Sequence, residues 1–197
     1  MHKLKETADG SNTLYIPELD ETYHSIHGAL QEAQHVFIDN GLRFVSEQQE
    51  KQRIQVFEMG FGTGLNALLT CLYAMKHETK VSYIGLEAFP VEWSIVQKLQ
   101  YETLFDEEVE DLLEAMHQCE WEQESKINEY FSLLKLHHKI EEQPSIATLD
   151  LIYYDAFGPR AQEQMWAQEH FDYLAHNTQP EGVLVTYCAQ GQFKRNL

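Results

Sequence analysis

A chain of 197 residues with 43% hydrophobic residues can bury a core of ordinary size and is too apolar to be disordered. No run approaches the roughly 20 apolar residues that span a bilayer; the start MHKLKETADG lacks the apolar stretch of a signal peptide, and Cys71, Cys119 and Cys188 are few, odd in number and far apart, as in a reducing cytoplasm, which argues against a disulfide framework or a metal site. Against 14 Lys plus Arg stand 32 Asp plus Glu, a net charge of −18 that repels a phosphate backbone at long range, so nucleic-acid binding requires a local basic patch.

In chain order, residues 1–20 read as an irregular or hairpin-like start, with SNTLYIPELDETYHS placing turn residues around a few apolar ones. Leu30, Ala33, Val36 and Phe37 then recur at helical spacing, and Asn40-Gly41 gives that helix its expected C-terminus. Ile54 to Phe57 reads as a strand buried on both faces, and Leu65, Leu68, Leu69 and Leu72 mark the next helix. KVSYIGLE is a second strand, and Pro90 suits the first turn of a helix through Gln100. An acidic helix follows from Glu107 to His117, whose charge in FDEEVEDLLEAMHQCEWEQE reads as a solvated face outside the site. EYFSLLKLHH and IATLDLIYYDAF are strands, AQEQMWAQEHFDYLAHN is a helix carrying Met165, Trp166, Phe171 and Leu174, and EGVLVTYCA is a fifth core strand. This alternation predicts an α/β fold: a doubly wound, mostly parallel, Rossmann-like sheet with its ligand at the C-terminal strand ends.

The chemistry is concentrated in FEMGFGTGLNALL. A strand, a glycine turn and a helix start in that order direct backbone N–H groups at a ligand. Gly60, Gly62 and Gly64 form G-x-G-x-G, and Leu65 stands where the last glycine of the dinucleotide fingerprint would be, which favours S-adenosylmethionine over NAD. Glu87 closes the following strand, where an acid can take ribose hydroxyls. Glu58, Glu87 and Asp155 all fall at C-terminal strand ends and are expected to converge on one crevice. Asp155 before FGPR reads equally as a turn acid or as a functional acid terminating the core strand Leu149–Tyr154.

FEMGFGTGLNALL, YIGLEAFP, DLIYYDAFGPRAQEQMW and GVLVTYCAQGQFKRNL, with TYHSIHGALQEAQHVFIDNGL upstream, resemble the methyltransferase domain of the bacterial tRNA 5-methylaminomethyl-2-thiouridine biosynthesis enzymes (MnmC type) over residues 15–197. The resemblance implies a class I methyltransferase fold and methyl transfer from S-adenosylmethionine to the aminomethyl nitrogen of a modified wobble uridine in tRNA. It implies cofactor contacts from Gly60, Gly62, Gly64 and Glu87, joined by Glu58 on the strand-end reading, and places Asp155 before the amine. Where the family has a Gly-Asp pair near the adenine, this chain has LKLHHKIEE, with His137, His138 and Lys139. Family members often carry a FAD oxidase domain that this sequence lacks, so the expectation is a stand-alone transferase, with a separate FAD oxidase or another enzyme supplying the aminomethyl group. The sequence stops at FKRNL, where the class is expected to continue through its last helix into a closing hairpin, so it reads as a fragment or as one that ends in a further tail.

The expected organisation is therefore one methyltransferase domain over residues 1–197, an N-terminal segment and helix (1–50) leading into a cofactor-binding core (51–197). Arg160, Lys194 and Arg195 read either as phosphate contacts for tRNA or as ordinary surface charge. Met165 and Trp166 read as core residues or as a pocket wall, Cys188 as a small core residue, and the His24-x-x-His27 and His137-His138 pairs as solvated or structural histidines. Beside the tRNA reading stand two alternatives: methyl or aminopropyl transfer to a small cationic amine, which the acidic surface would steer, and a protein that binds S-adenosylmethionine without turnover. A cytoplasmic location, with no membrane, is expected throughout.

Overall fold

In the computed structural model, which describes residues 2–48, 51, 53–105 and 109–188, the chain opens with a small antiparallel sheet. Strands β1 (Lys3–Glu6), β2 (Asn12–Ile16) and β3 (Glu21–Thr22) pair in order. Asp9 ties the first hairpin, its Oδ1 accepting from Ser11 N at 3.1 Å and from the Thr7 and Ser11 hydroxyls at 2.7 and 2.5 Å, a turn chemistry that short polar side chains favour.

The next helix does not end at Asn40-Gly41 as expected. It runs through α1 (Ala29–Ala33), a π-helical stretch (Gln34–Leu42) and α2 (Arg43–Gln48). Asn40 Nδ2 donates to the carbonyl of His35 at 2.6 Å, supporting the wider turn, and Gly41 is there for space: a Cβ would lie 3.1 Å from Val185 and 3.3 Å from Tyr153 on the sheet beneath. A glycine needed for close packing carries the same letter as a helix terminator.

The central sheet consists of β4 (Arg53–Met59), β5 (Lys80–Leu86), the two-residue β6 (Ser125–Lys126), β7 (Phe131–Leu136), β8 (Leu149–Tyr154) and β9 (Thr178–Val185) in spatial order β6-β7-β5-β4-β8-β9, parallel except for β6. Both faces are apolar because both are covered. Ile54, Val56, Tyr83, Leu133 and Tyr153 pack with the helix from Ala29 onward and with α3 (Leu65–His77), while Phe57, Met59, Ile84, Ile152 and Tyr154 belong to a second cluster. The alternation of these residues along each strand assigns the clusters to opposite faces.

Two further helices differ from expectation. After β5 the chain turns helical at Trp93, not at Pro90, as α4 (Trp93–Val96) and a 3₁₀ turn (Gln97–Leu99), with α5 (Glu110–Gln118) beyond. Residues 90–92 instead continue the loop that carries Glu87. The segment read as one helix from Ala161 to Asn177 is a 3₁₀ turn (Glu163–Trp166) followed by α6 (Gln168–His176), broken at Ala167. Trp166 Nε1 donates to Phe157 O at 2.9 Å and pins the first piece to the loop after β8. Among the described residues no helix is long and apolar enough to cross a membrane.

From β4 the sheet grows through β5 to β7 on one side and through β8 to β9 on the other. The direction reverses between β4 and β8, and the crevice at such a switch point is where open α/β sheets bind ligands.

Candidate active site

The glycine turn closes β4 and is stitched to the end of β5. Gly60 N and Phe61 N both donate to Leu86 O at 3.0 Å, and Gly62 N donates to Glu87 Oε2 at 2.8 Å. Glu87 Oε1 accepts from Phe89 N at 2.8 Å, so this carboxylate is held by two backbone donors. Gly60, Gly62 and Gly64 have φ of 89°, 53° and 78°, left-handed backbone that side chains disfavour. At Gly62 a Cβ would in addition lie 3.2 Å from the Tyr23 ring, and at Gly60 it would lie 3.1 Å from Asp155 O.

Glu58 and Asp155 come together across the switch point through a residue that sequence reading missed. Asn66, in the first turn of α3, donates from Nδ2 to Glu58 Oε1 at 2.9 Å and to Asp155 Oδ2 at 2.8 Å. Burial, and after it the charge of Asp155, pushes the Glu58 carboxyl well above the usual range. Burial likewise raises Asp155, while the Asn66 amide pulls it down. Glu58 Oε2 and Asn66 Oδ1 are buried and have no partner of hydrogen-bond geometry among the described residues. The signal for Asn66 was present: a lone amide inside the apolar stretch LNALL, which burial makes costly unless a partner awaits it.

These groups line a cleft of about 550 Å³, within the range of small-molecule sites. Glu58, Glu87 and Asp155 all line it, as expected. Tyr23 and Phe157 meet edge to face in its wall, centroids 5.3 Å apart, and Met165 also lines it; Trp166 is buried in the core. The loop after β7 supplies His138 and Lys139. His138 Nδ1 lies 2.6 Å from Glu142 Oε2 and its Nε2 3.5 Å from Glu122 Oε2, pairs that hold the imidazole more basic than usual. His24 contributes an uncharged ring, its pKa lowered to about 4 by burial, with Nδ1 3.2 Å from Thr13 Oγ1. Cys188 is buried. Arg160 is exposed and does not line the cleft; Lys194 and Arg195 lie outside the described residues.

Comparison with known proteins bears on the family and the fold. A family model described as S-adenosyl-L-methionine-dependent methyltransferase matches residues 99–197. The chain is 27% identical, over 95% of its length, to the tRNA 5-methylaminomethyl-2-thiouridine biosynthesis bifunctional protein MnmC of Paraburkholderia xenovorans. It is also 27% identical, over 96% of its length, to the protein of the same name from Pseudoalteromonas atlantica. The alignments cover 30% and 29% of those relatives, so the chain spans under a third of their length. The crystal structure of MNMC2 from Aquifex aeolicus superposes on the whole chain with a TM-score of 0.74 at 23% identity, covering 62% of that protein, a likeness of fold. With the family model covering just over half of its length, the chain belongs to the S-adenosyl-L-methionine-dependent methyltransferases.

Proposed function

We propose that this chain transfers a methyl group from S-adenosylmethionine to the aminomethyl nitrogen of a modified wobble uridine in tRNA. The observation that carries the reading is the Glu58–Asn66–Asp155 linkage beside the glycine turn, in a chain similar along nearly its whole length to proteins named for that tRNA modification. Glu58, Gly60, Gly62, Gly64 and Glu87 are the residues assigned to the cofactor. The fit rests on a turn whose glycines leave no room for side chains and a carboxylate fixed at the end of β5. When bound there, the cofactor supplies an electrophilic methyl on a sulfonium.

The chain's own part is to present a nitrogen with a free lone pair. An alkylamine with a pKa near about 10.4 is mostly ammonium at neutral pH and cannot attack. Asp155 accepts one of its protons, and a carboxylate whose proton affinity is raised by burial is the stronger base for that step. Asn66 occupies Asp155 Oδ2 and fixes the rotamer, leaving Oδ1 for the amine.

Arg160, with Lys194 and Arg195, is assigned to tRNA phosphates, few enough that log affinity falls gently with log salt. A FAD-dependent oxidase activity or another enzyme supplies the aminomethyl group, in keeping with the word bifunctional in the relatives' name. The net charge of −18 favours a second reading, in which a small free cationic amine is methylated. Labelled S-adenosylmethionine, offered with tRNA from a strain deleted for this protein in a salt series, decides between them. Label in an aminomethyl-uridine nucleoside supports the first, label only in small amines the second, and binding without transfer overturns both.

A further inference from the structure

Asp155 and Asn66 face two cavities. Besides the cleft there is a smaller space of about 210 Å³ that contains none of the turn glycines and neither Glu58 nor Glu87. Tyr23, His24, Asn66, Asp155, Ala156 and Phe157 line both, so the Tyr23–Phe157 pair and the Asp155 carboxyl form a shared wall. Most of the rest of the smaller cavity comes from β3, α1 and the segment after β9, among them Glu21, Glu32, Ala29, Ala33 and Tyr187. We propose that this second cavity is the amine subsite, taking the reacting end of the substrate as a primary alkylammonium, with Glu32 as its specificity-determining carboxylate. The proposal rests on the methyl-transfer reading above and locates where the acceptor enters.

Charge and hydrogen-bond capacity point the same way. Among the described residues three carboxyls, Glu21, Glu32 and Asp155, line the cavity with no lysine or arginine, and the one histidine there, His24, is uncharged. Asn66 adds a buried Oδ1 with no hydrogen-bond partner among the described residues, and the Tyr187 hydroxyl spends its hydrogen on Ala156 O at 2.9 Å, so its oxygen also presents as an acceptor. An acceptor-rich wall is matched by a group with several N–H bonds and a positive charge. Burial also raises the Glu32 and Asp155 carboxyls, as expected of acids whose partner arrives with the ligand. The space falls below the usual range for a whole ligand, so it suits the arm of a larger molecule, with Ala29, Ala33 and Phe37 supplying an apolar lining for its methylene.

The division orders the chemistry. The ammonium docks between Glu32 and Asp155 and gives a proton to Asp155. The neutral amine then forms its N–C bond to the methyl carbon as the methyl–sulfur bond breaks with its electron pair going to sulfur, and the methylated nitrogen carries the positive charge. The two reactants reach Asp155 from separate cavities.

Calorimetry of 5-aminomethyluridine binding to the full chain, saturated with S-adenosylhomocysteine, tests the subsite without requiring turnover. Wild type is expected to bind the aminomethyl nucleoside and not uridine, with Glu32→Gln weakening it about 10-fold or more, the scale of a lost charge-assisted hydrogen bond. Glu32→Lys should weaken it further, while S-adenosylhomocysteine affinity stays within twofold for both variants, which also reports folding. Equal nucleoside affinity in wild type and Glu32→Gln, or no binding by wild type, overturns the subsite. Nucleoside binding that depends on Glu32, without methylation of tRNA in the labelled assay, retains the subsite and removes the tRNA reading.

Discussion

The end of β5 and the joint between β4 and β8 carry the same sequence feature, an acid closing a buried parallel strand, and use it in opposite ways. Glu87 is held by two backbone N–H groups, from Gly62 and Phe89, which fasten the glycine turn to its neighbouring strand. Glu58 and Asp155 share one side-chain amide, Asn66, and are pushed toward the protonated form by burial. An acid tied to backbone is a fixed acceptor that shapes a binding loop. Acids tied to each other through a side chain keep a proton in play, and that is what a reaction on an amine needs.

The contrast is tested most sharply by Asp155→Asn, which keeps size and loses the charge. Turnover of aminomethyl-uridine tRNA should fall by about 10²–10⁴, the range for a positioned acid or base, with S-adenosylmethionine affinity retained. Turnover within about threefold of wild type ends the assignment. Gly62→Val should do the reverse, removing cofactor binding in calorimetry while circular dichroism stays native. A β-branched side chain at φ 53° and 3.2 Å from Tyr23 displaces the turn that Glu87 holds, and unchanged affinity would place the cofactor elsewhere.

Glu87→Ala is the milder version of that experiment. Loss of a charge-assisted acceptor predicts about 10- to 100-fold weaker cofactor binding, with kcat at saturating cofactor little changed. If kcat collapses instead, Glu87 belongs with the chemistry and the contrast between the two strand ends fails.

The smallest effect expected is on stability. The folded pKa of Glu58 is raised, so its contribution is fully present below the unfolded value of about 4.3 and is lost as pH rises through the folded value, at no more than about 1.4 kcal/mol per pH unit. Glu58→Gln, neutral at every pH, should flatten that decline in urea melts taken from acid to neutral pH. An unchanged slope would mean that Asp155 alone carries the titration.

Helix Ala29–Gln48 illustrates how far local patterns reach. Its apolar spacing was legible, yet Asn40-Gly41 has the letters of a terminus, and only the sheet lying against Gly41 keeps the helix going. The continuous helix expected from Ala161 failed for a related reason: Trp166 bonds to Phe157 O in the loop after β8, a contact far from helical periodicity.

By itself the sequence determined the strand–turn–helix at Gly60–Gly64, the parallel core strands with their apolar faces, and the meeting of Glu58, Glu87 and Asp155 in one cleft. These follow from short-range rules, since pleat, helical period and the left-handed needs of a glycine turn are written within a few residues of each site. Only the tertiary structure decided that Asn66 bridges two acids, that Glu32 and Glu21 come to lie in the same cavity as Asp155, and that His138 is clasped between Glu122 and Glu142. Those contacts join segments distant in the chain, and the burial that sets their protonation is a property of everything packed around them, which no local pattern encodes.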